Sequence, residues 1–175
     1  ERLGESLRAE LGLKPGDILF GLVTSGDFEK RGLSSFLRAF ASVARKLPGA
    51  RALVVGKESR LGPYLSLARE LDVSGIVAFR DPISEVERFY HALDVYVHAA
   101  PWEEFGMTVL EALACGVPVI AGARVGACEL LSGEAREFVL ESVSAEPLAA
   151  ALLAMARDPR RRARLGGLGP AAAGP

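Results

Sequence analysis

Residues 94–121 read DVYVHAAPWEEFGMTVLEALACGVPVIA, and this stretch decides the fold. Asp94 to His98 is short, β-branched and aromatic, as a buried strand requires. After a loop containing Pro101, Met107 to Ala114 is a run of good helix formers that opens near Gly106 and stops at Gly116. Val117 to Ala121 is then a second strand. Strand, helix and strand with short connections make a βαβ unit, which closes only when its two strands lie parallel.

Outward from this unit the alternation repeats. Ile18 to Val23 is an apolar run, as suits a strand buried on both faces, and Leu33 to Leu47 is an amphipathic helix ended by Pro48-Gly49. Ala52 to Val55, Ile76 to Phe79 and Glu137 to Leu140 read as strands; Tyr64 to Leu71, Glu85 to Leu93 and Ala145 to Arg157 read as helices. A short helix near Cys128 to Leu131 and helical spacing in Leu3, Leu7 and Leu11 complete the pattern. The expected fold is α/β: a Rossmann-like parallel sheet of about six strands with helices on both faces. One domain is expected over residues 1–165. Residues 166–175 hold only Gly, Pro, Ala and Leu and are expected to form a disordered end.

Composition excludes several functions. The 175 residues carry 21 Lys and Arg against 22 Asp and Glu, a net charge of -1, so electrostatic grip on nucleic acid is not expected. The longest apolar stretches, such as Pro147 to Ala156, reach only about ten residues, half of a membrane span. Cys115 and Cys128 match no zinc or redox spacing, and the charged N-terminus lacks an apolar signal core, so a cytoplasmic location with reduced thiols is expected. The absence of an initial Met points to a fragment.

In parallel sheets of this kind, ligands bind beyond the carboxyl ends of the strands, where strand order reverses. The loop from Pro101 to Gly106 occupies such an end. Glu103 and Glu111 are eight residues apart, about 12 Å of rise along a helix. That separation is too long for two carboxylates acting on one atom, and suits the two ends of one long ligand whose phosphate meets the helix start between them. Taken singly, Glu111 also reads as an exposed helical residue and Glu103 as a loop charge. The connection Thr24-Ser25-Gly26-Asp27-Phe28-Glu29-Lys30-Arg31-Gly32 supplies backbone room at Gly26 and then two cations, Lys30 and Arg31, as a leaving diphosphate needs.

With Glu-x7-Glu, the enclosed Phe-Gly and the following Ala-Cys-Gly-Val-Pro-Val-Ile, the chain resembles the C-terminal, nucleotide-binding half of the retaining glycosyltransferases of family 4, which have the two-domain GT-B architecture. The resemblance runs from the Asp17 to Gly32 segment through Ala-Leu-Asp-Val-Tyr-Val at 92–97 to the Arg-Asp-Pro run at 157. Within the family the chain is similar to enzymes that add glucose to a lipopolysaccharide core. The resemblance implies that Glu103 faces the transferred sugar, that Glu111 bonds the ribose hydroxyls, and that amides of Phe105, Gly106, Met107 and Thr108 meet sugar and diphosphate. It also implies that backbone after Arg80-Asp81-Pro82 reads the base edge with Ile83 packed on the base, where the residues alone read equally as a plain helix entry with Ser84 as N-cap. Gly56-Lys57, at the end of the second strand, reads either as a neighbour of the base or ribose or as a turn with a surface lysine. Glu104 departs from the family pattern by standing where Gly is usual, and the family's earlier loop Arg has no clear counterpart.

The implied reaction moves a sugar from a nucleotide diphosphate sugar, expected to be a UDP-sugar, to an acceptor hydroxyl. No Asp-x-Asp occurs, so no metal is expected. An N-terminal acceptor domain is expected to lie outside this stretch, and the isolated chain is expected to bind donor and scarcely turn over. A non-catalytic nucleotide-sugar-binding or assembly module is the alternative. A nicotinamide dehydrogenase is disfavoured because no Gly-x-Gly-x-x-Gly follows the first strand. His91 and His98 read as packing or surface residues. Five arginines between Arg157 and Arg164 read either as a solvated helix or as a contact for anionic lipid headgroups at the inner membrane face.

Overall fold

A computed structural model describes residues 3–24 and 26–173. In chain order the elements are α1 (Glu5–Glu10), β1 (Ile18–Val23), α2 (Leu33–Ala44), β2 (Ala50–Val55), α3 (Gly62–Glu70), β3 (Val77–Arg80), α4 (Val86–Ala92), β4 (Val95–His98), α5 (Met107–Ala114) and β5 (Val119–Gly122). Two short 3-10 turns, Gly126–Leu130 and Gly133–Phe138, lead to β6 (Val139–Leu140), α6 (Ala145–Arg157) and α7 (Pro159–Ala173). The strands form one sheet in the order β3-β2-β1-β4-β5-β6, and every pairing is parallel. Chain order therefore reverses between β1 and β4. A crevice is expected there, at the carboxyl ends.

The period of two along each strand divides the core into two layers. On β1, Phe20 and Leu22 join α2 and α6 residues such as Phe36, Phe40 and Leu152, whereas Leu19 joins Phe89, Tyr90 and Leu113 from α4 and α5. Each fully buried Phe or Leu contributes about 1.5–3 kcal/mol. Gly21 interrupts the apolar run because Leu93 and Phe89 occupy the space that a Cβ would need. Asp94 opens β4 by accepting the Leu19 N–H at 2.8 Å and the Arg8 guanidinium at 2.9 Å, which ties α1 to the sheet.

The C-terminal end differs from the expectation of disorder after residue 165. Helix α7 continues to Ala173, with Leu165 buried; residues 174 and 175 lie outside the described residues. A Cβ on Gly166 would collide with the Gly116 carbonyl oxygen, so the glycine that suggested a loose tail is what lets α7 approach the end of α5.

Candidate functional site

The β1–β4 crevice holds a cavity of about 380 Å³. Its walls come from the last residue of β1 (Val23), the loop from β1 to α2 (Thr24, Arg31), the last residue of β4 (His98), and the loop and first helical turn from Glu103 to Thr108. Two glycines shape the entry. Gly32 opens α2 at φ 68° and packs against the Ala99 carbonyl where no side chain fits; Gly106 opens α5 at φ 87°, and a Cβ there would lie 2.6 Å from Val125 Cγ1. No side chain caps the start of α5, and its N-cap Gly106 and first residues Met107 and Thr108 line the cavity at the positive pole of the helix.

The loop bearing Glu103 is braced from behind. The Glu103 N–H donates to the Arg124 carbonyl at 3.1 Å, and the Glu103 carbonyl accepts the Gly126 N–H at 3.2 Å. Such a frame fixes the backbone and leaves the carboxylate to the crevice, where it makes an ion pair with Arg31. Both side chains are about three-quarters buried, with 24% and 28% exposed, so this pair is better shielded from solvent than a surface salt bridge.

The structure brings together Glu103, Arg31, Phe105, Gly106, Met107 and Thr108. Lys30 does not join them. Its side chain is 82% exposed and pairs with Asp27 at 3.0 Å, which holds the Asp27 carboxyl below its usual range through hydrogen bonds from the Lys30 backbone and side chain. Of Lys30, Arg31, Glu103 and Glu111, expected to converge on one cleft, only Arg31 and Glu103 line this cavity: successive residues at a helix entry point in different directions, and only Arg31 turns inward. Glu111 stands further along α5, outside the cavity wall, and accepts a 2.7 Å hydrogen bond from the Tyr90 hydroxyl. Burial, with Tyr96 and Glu111 adding to it, raises the Tyr90 pKa well above its ordinary value, so Tyr90 is a donor at neutral pH.

Gly26 and Gly56 meet where β1 and β2 end. A Cβ on Gly56 would lie 2.6 Å from the Thr24 carbonyl oxygen, and one on Gly26 would lie 3.3 Å from the Lys57 carbonyl oxygen. Thr24 Oγ1 accepts the Gly26 N–H and donates to the Gly26 carbonyl, which fixes the turn. Ile83 is separate: it lines a recess beside β3 with Leu7, Glu10, Arg80, Asp81 and Arg88.

His98 escaped the sequence reading, which gave it to packing or the surface. It is 4% exposed, lines the cavity, and its Nδ1 has no hydrogen-bond partner. Burial above all, then Arg31, lowers its pKa to about 4, so the ring is neutral at pH 7. The signal was parity: Asp94, Tyr96 and His98 share one face of β4, and His98 alone falls at the carboxyl edge.

The arginine run is largely engaged in the fold. Arg161 pairs with Glu134 at 2.9 Å and Glu137 at 2.6 Å and lies 4.6 Å over the Phe138 ring, Arg162 donates to the Met155 and Ala156 carbonyls, and Arg164 pairs with Glu134 at 3.0 Å. Arg161, Arg162 and Arg164 are thus engaged within the fold, while Arg157 and Arg160 are exposed. Among the described residues no helix is long and apolar enough to cross a membrane.

Residues 5–169 match the family described as Glycosyl transferases group 1. The chain belongs to this glycosyltransferase family. Over 174 residues it is 31% identical to the D-inositol 3-phosphate glycosyltransferase of Segniliparus rotundus, covering 95% of this chain and 38% of that protein. It is 32% identical over 163 residues to the lipopolysaccharide core biosynthesis mannosyltransferase LpsB of Rhizobium meliloti, covering 89% of this chain and 45% of LpsB. The crystal structure of WaaG, a glycosyltransferase involved in lipopolysaccharide biosynthesis, superposes with a TM-score of 0.86 at 25% identity, covering 98% of this chain and 46% of WaaG. The C-terminal domain of LpcC, a group 1 glycosyl transferase from Francisella tularensis, shares the fold at 22% identity with a TM-score of 0.83, covering 97% of this chain and 90% of that one. Thus this glycosyltransferase domain spans less than half the length of the curated relatives above, and its sheet is that of GT-B enzymes.

Proposed function

We propose that this domain is the donor-binding half of a retaining glycosyltransferase that moves a sugar from a nucleotide diphosphate sugar to an acceptor hydroxyl in cell-envelope polysaccharide or lipopolysaccharide synthesis. One observation carries the reading: Arg31, Glu103 and the uncapped start of α5 line a single cavity at the reversal point of the sheet. Arg31 and the helix amides would stabilise the diphosphate as negative charge grows on it in departure. Glu103 would accept hydrogen bonds from sugar hydroxyls and so position the anomeric carbon. Glu111, held by Tyr90, would take the ribose. The acceptor would attack from the face that the leaving phosphate vacates, with that phosphate helping to remove its proton.

The proposed donor is a UDP-sugar. Relatives in Corynebacterium glutamicum and Mycolicibacterium smegmatis are GDP-mannose-dependent by name, which makes GDP-mannose the competing donor. With no Asp-x-Asp in the chain, charge on the diphosphate is proposed to be met by protein groups without a metal. The acceptor half would come from a preceding domain. Calorimetric titration of UDP, GDP and ADP with and without EDTA tests the reading. One diphosphate should bind, equally well in both conditions. Failure of all three would contradict the donor role, and a large loss with EDTA would contradict metal independence.

A further inference from the structure

We propose that His98 is a donor-contacting residue whose imidazole hydrogen-bonds a phosphate oxygen of the bound nucleoside diphosphate; this deepens the donor-site reading and rests on it. Thr24 and His98 are buried and line the same cavity; the neighbouring Tyr96 hydroxyl is also buried without a partner but does not line it. Their situations differ. The Thr24 hydroxyl is satisfied within its own turn by Gly26, whereas His98 Nδ1 has no partner. A buried polar nitrogen left unpaired is costly, and native interiors contain few of them. The ring is held in place, edge to face against Tyr96 with centroids 6.5 Å apart.

The surroundings select the ligand group. Arg31 and the start of α5 make this end of the cavity favourable to an anion. Glu103, the carboxylate that pairs with Arg31, is an acceptor suited to hydroxyl groups instead. A neutral imidazole adds an N–H donor toward phosphate without placing a second cation beside Arg31. The plainer account is a histidine that packs on Tyr96 and touches nothing bound, and the test separates the two.

The chain has two histidines, and His91 is exposed on α4, so the imidazole NMR spectrum carries its own control. UDP, GDP and ADP are titrated in turn, each against its matching nucleoside. The diphosphate that binds should shift the His98 ring signals and leave those of His91 in place, and the nucleoside should shift neither. His98→Phe should weaken that diphosphate about tenfold or more, the worth of a hydrogen bond to a charged group, while nucleoside affinity stays within about twofold. His98→Asn or His98→Gln should recover part of the loss, according to which ring nitrogen donates. If His98→Phe does not fold, the ring signals of the unaltered chain and the amide variants decide the matter. Unmoved His98 signals with diphosphate bound, or equal losses for diphosphate and nucleoside, would overturn the proposal. A loss confined to the sugar-bearing donor would also overturn it, by placing His98 at the sugar. Should none of the three diphosphates bind the unaltered chain, the donor-site reading falls and this proposal falls with it.

Discussion

Two regions of this molecule concentrate arginines and glutamates, and they use them differently. Around α7, Arg161, Arg162 and Arg164 reach carboxylates, an aromatic face and helix-end carbonyls within their own neighbourhood, so the cluster clamps α7 to the segment from Glu134 to Phe138. In the β1–β4 crevice, one arginine meets one glutamate across two loops, in a cavity also lined by an imidazole whose Nδ1 lacks a partner. The first arrangement answers its charges within the fold through close ion pairs, although Arg161 Nε has no aligned hydrogen-bond partner. The second leaves polar groups that a ligand would satisfy, so charge counted along the sequence says less than whether each buried polar group is answered by the fold.

The largest effect on activity expected from this contrast concerns the two glutamates. In the full-length enzyme, Glu103→Gln should lower turnover about a hundredfold, because loosened sugar contacts misplace the reacting carbon. The same change should leave free diphosphate binding no weaker, since Arg31 is released from its ion pair. Glu111→Gln should weaken free diphosphate and complete donor by similar factors, about tenfold, through lost ribose hydrogen bonds. Paired calorimetry on both ligands reads the difference, and equal losses of bare diphosphate in the two variants would break the assignment of sugar and ribose ends.

A second effect, about 3 kcal/mol, follows from His98. Its pKa is lowered in the fold from 6.5 to about 4, by burial first and Arg31 next. Between those values the unfolded chain binds a proton that the folded chain refuses, so stability falls as pH drops from 6.5 toward 4 and this contribution levels off below. Urea midpoints across that range should slope less steeply for His98→Gln than for the unaltered chain. Identical slopes would show that His98 titrates freely in the fold. The smallest effect belongs to the other region: Arg161→Ala should cost about 1 kcal/mol of stability through loss of two carboxylate contacts and the Phe138 ring. Diphosphate affinity should not change, and neither should association with anionic vesicles.

Much of the architecture was legible in the sequence because parallel strands and amphipathic helices write strong periodicities. Ile18–Val23 and Met107–Ala114 occupy the expected residues, and β6 is shorter than Glu137 to Leu140 because a 3-10 turn takes its first half. The glycine-rich end misled because composition does not reveal that Gly166 faces Gly116. At the site, the loop from Glu103 to Thr108 was legible as a motif, and its meeting with Arg31 needed only the order of strands. The divergence of Lys30 from Arg31 was not legible, since it depends on side-chain direction at one helix entry. Nor was the partnerless state of His98, which depends on what fails to surround it.

The most direct test of the central claim uses the adjacent cations. UDP, or whichever of GDP and ADP binds in its place, is titrated into Arg31→Met and Lys30→Met. Arg31, inside the cavity, should lose affinity about tenfold or more, and Lys30, paired with Asp27 outside it, should stay within about twofold. Equal losses, or a larger one at Lys30, would contradict the placement of the diphosphate in the β1–β4 crevice.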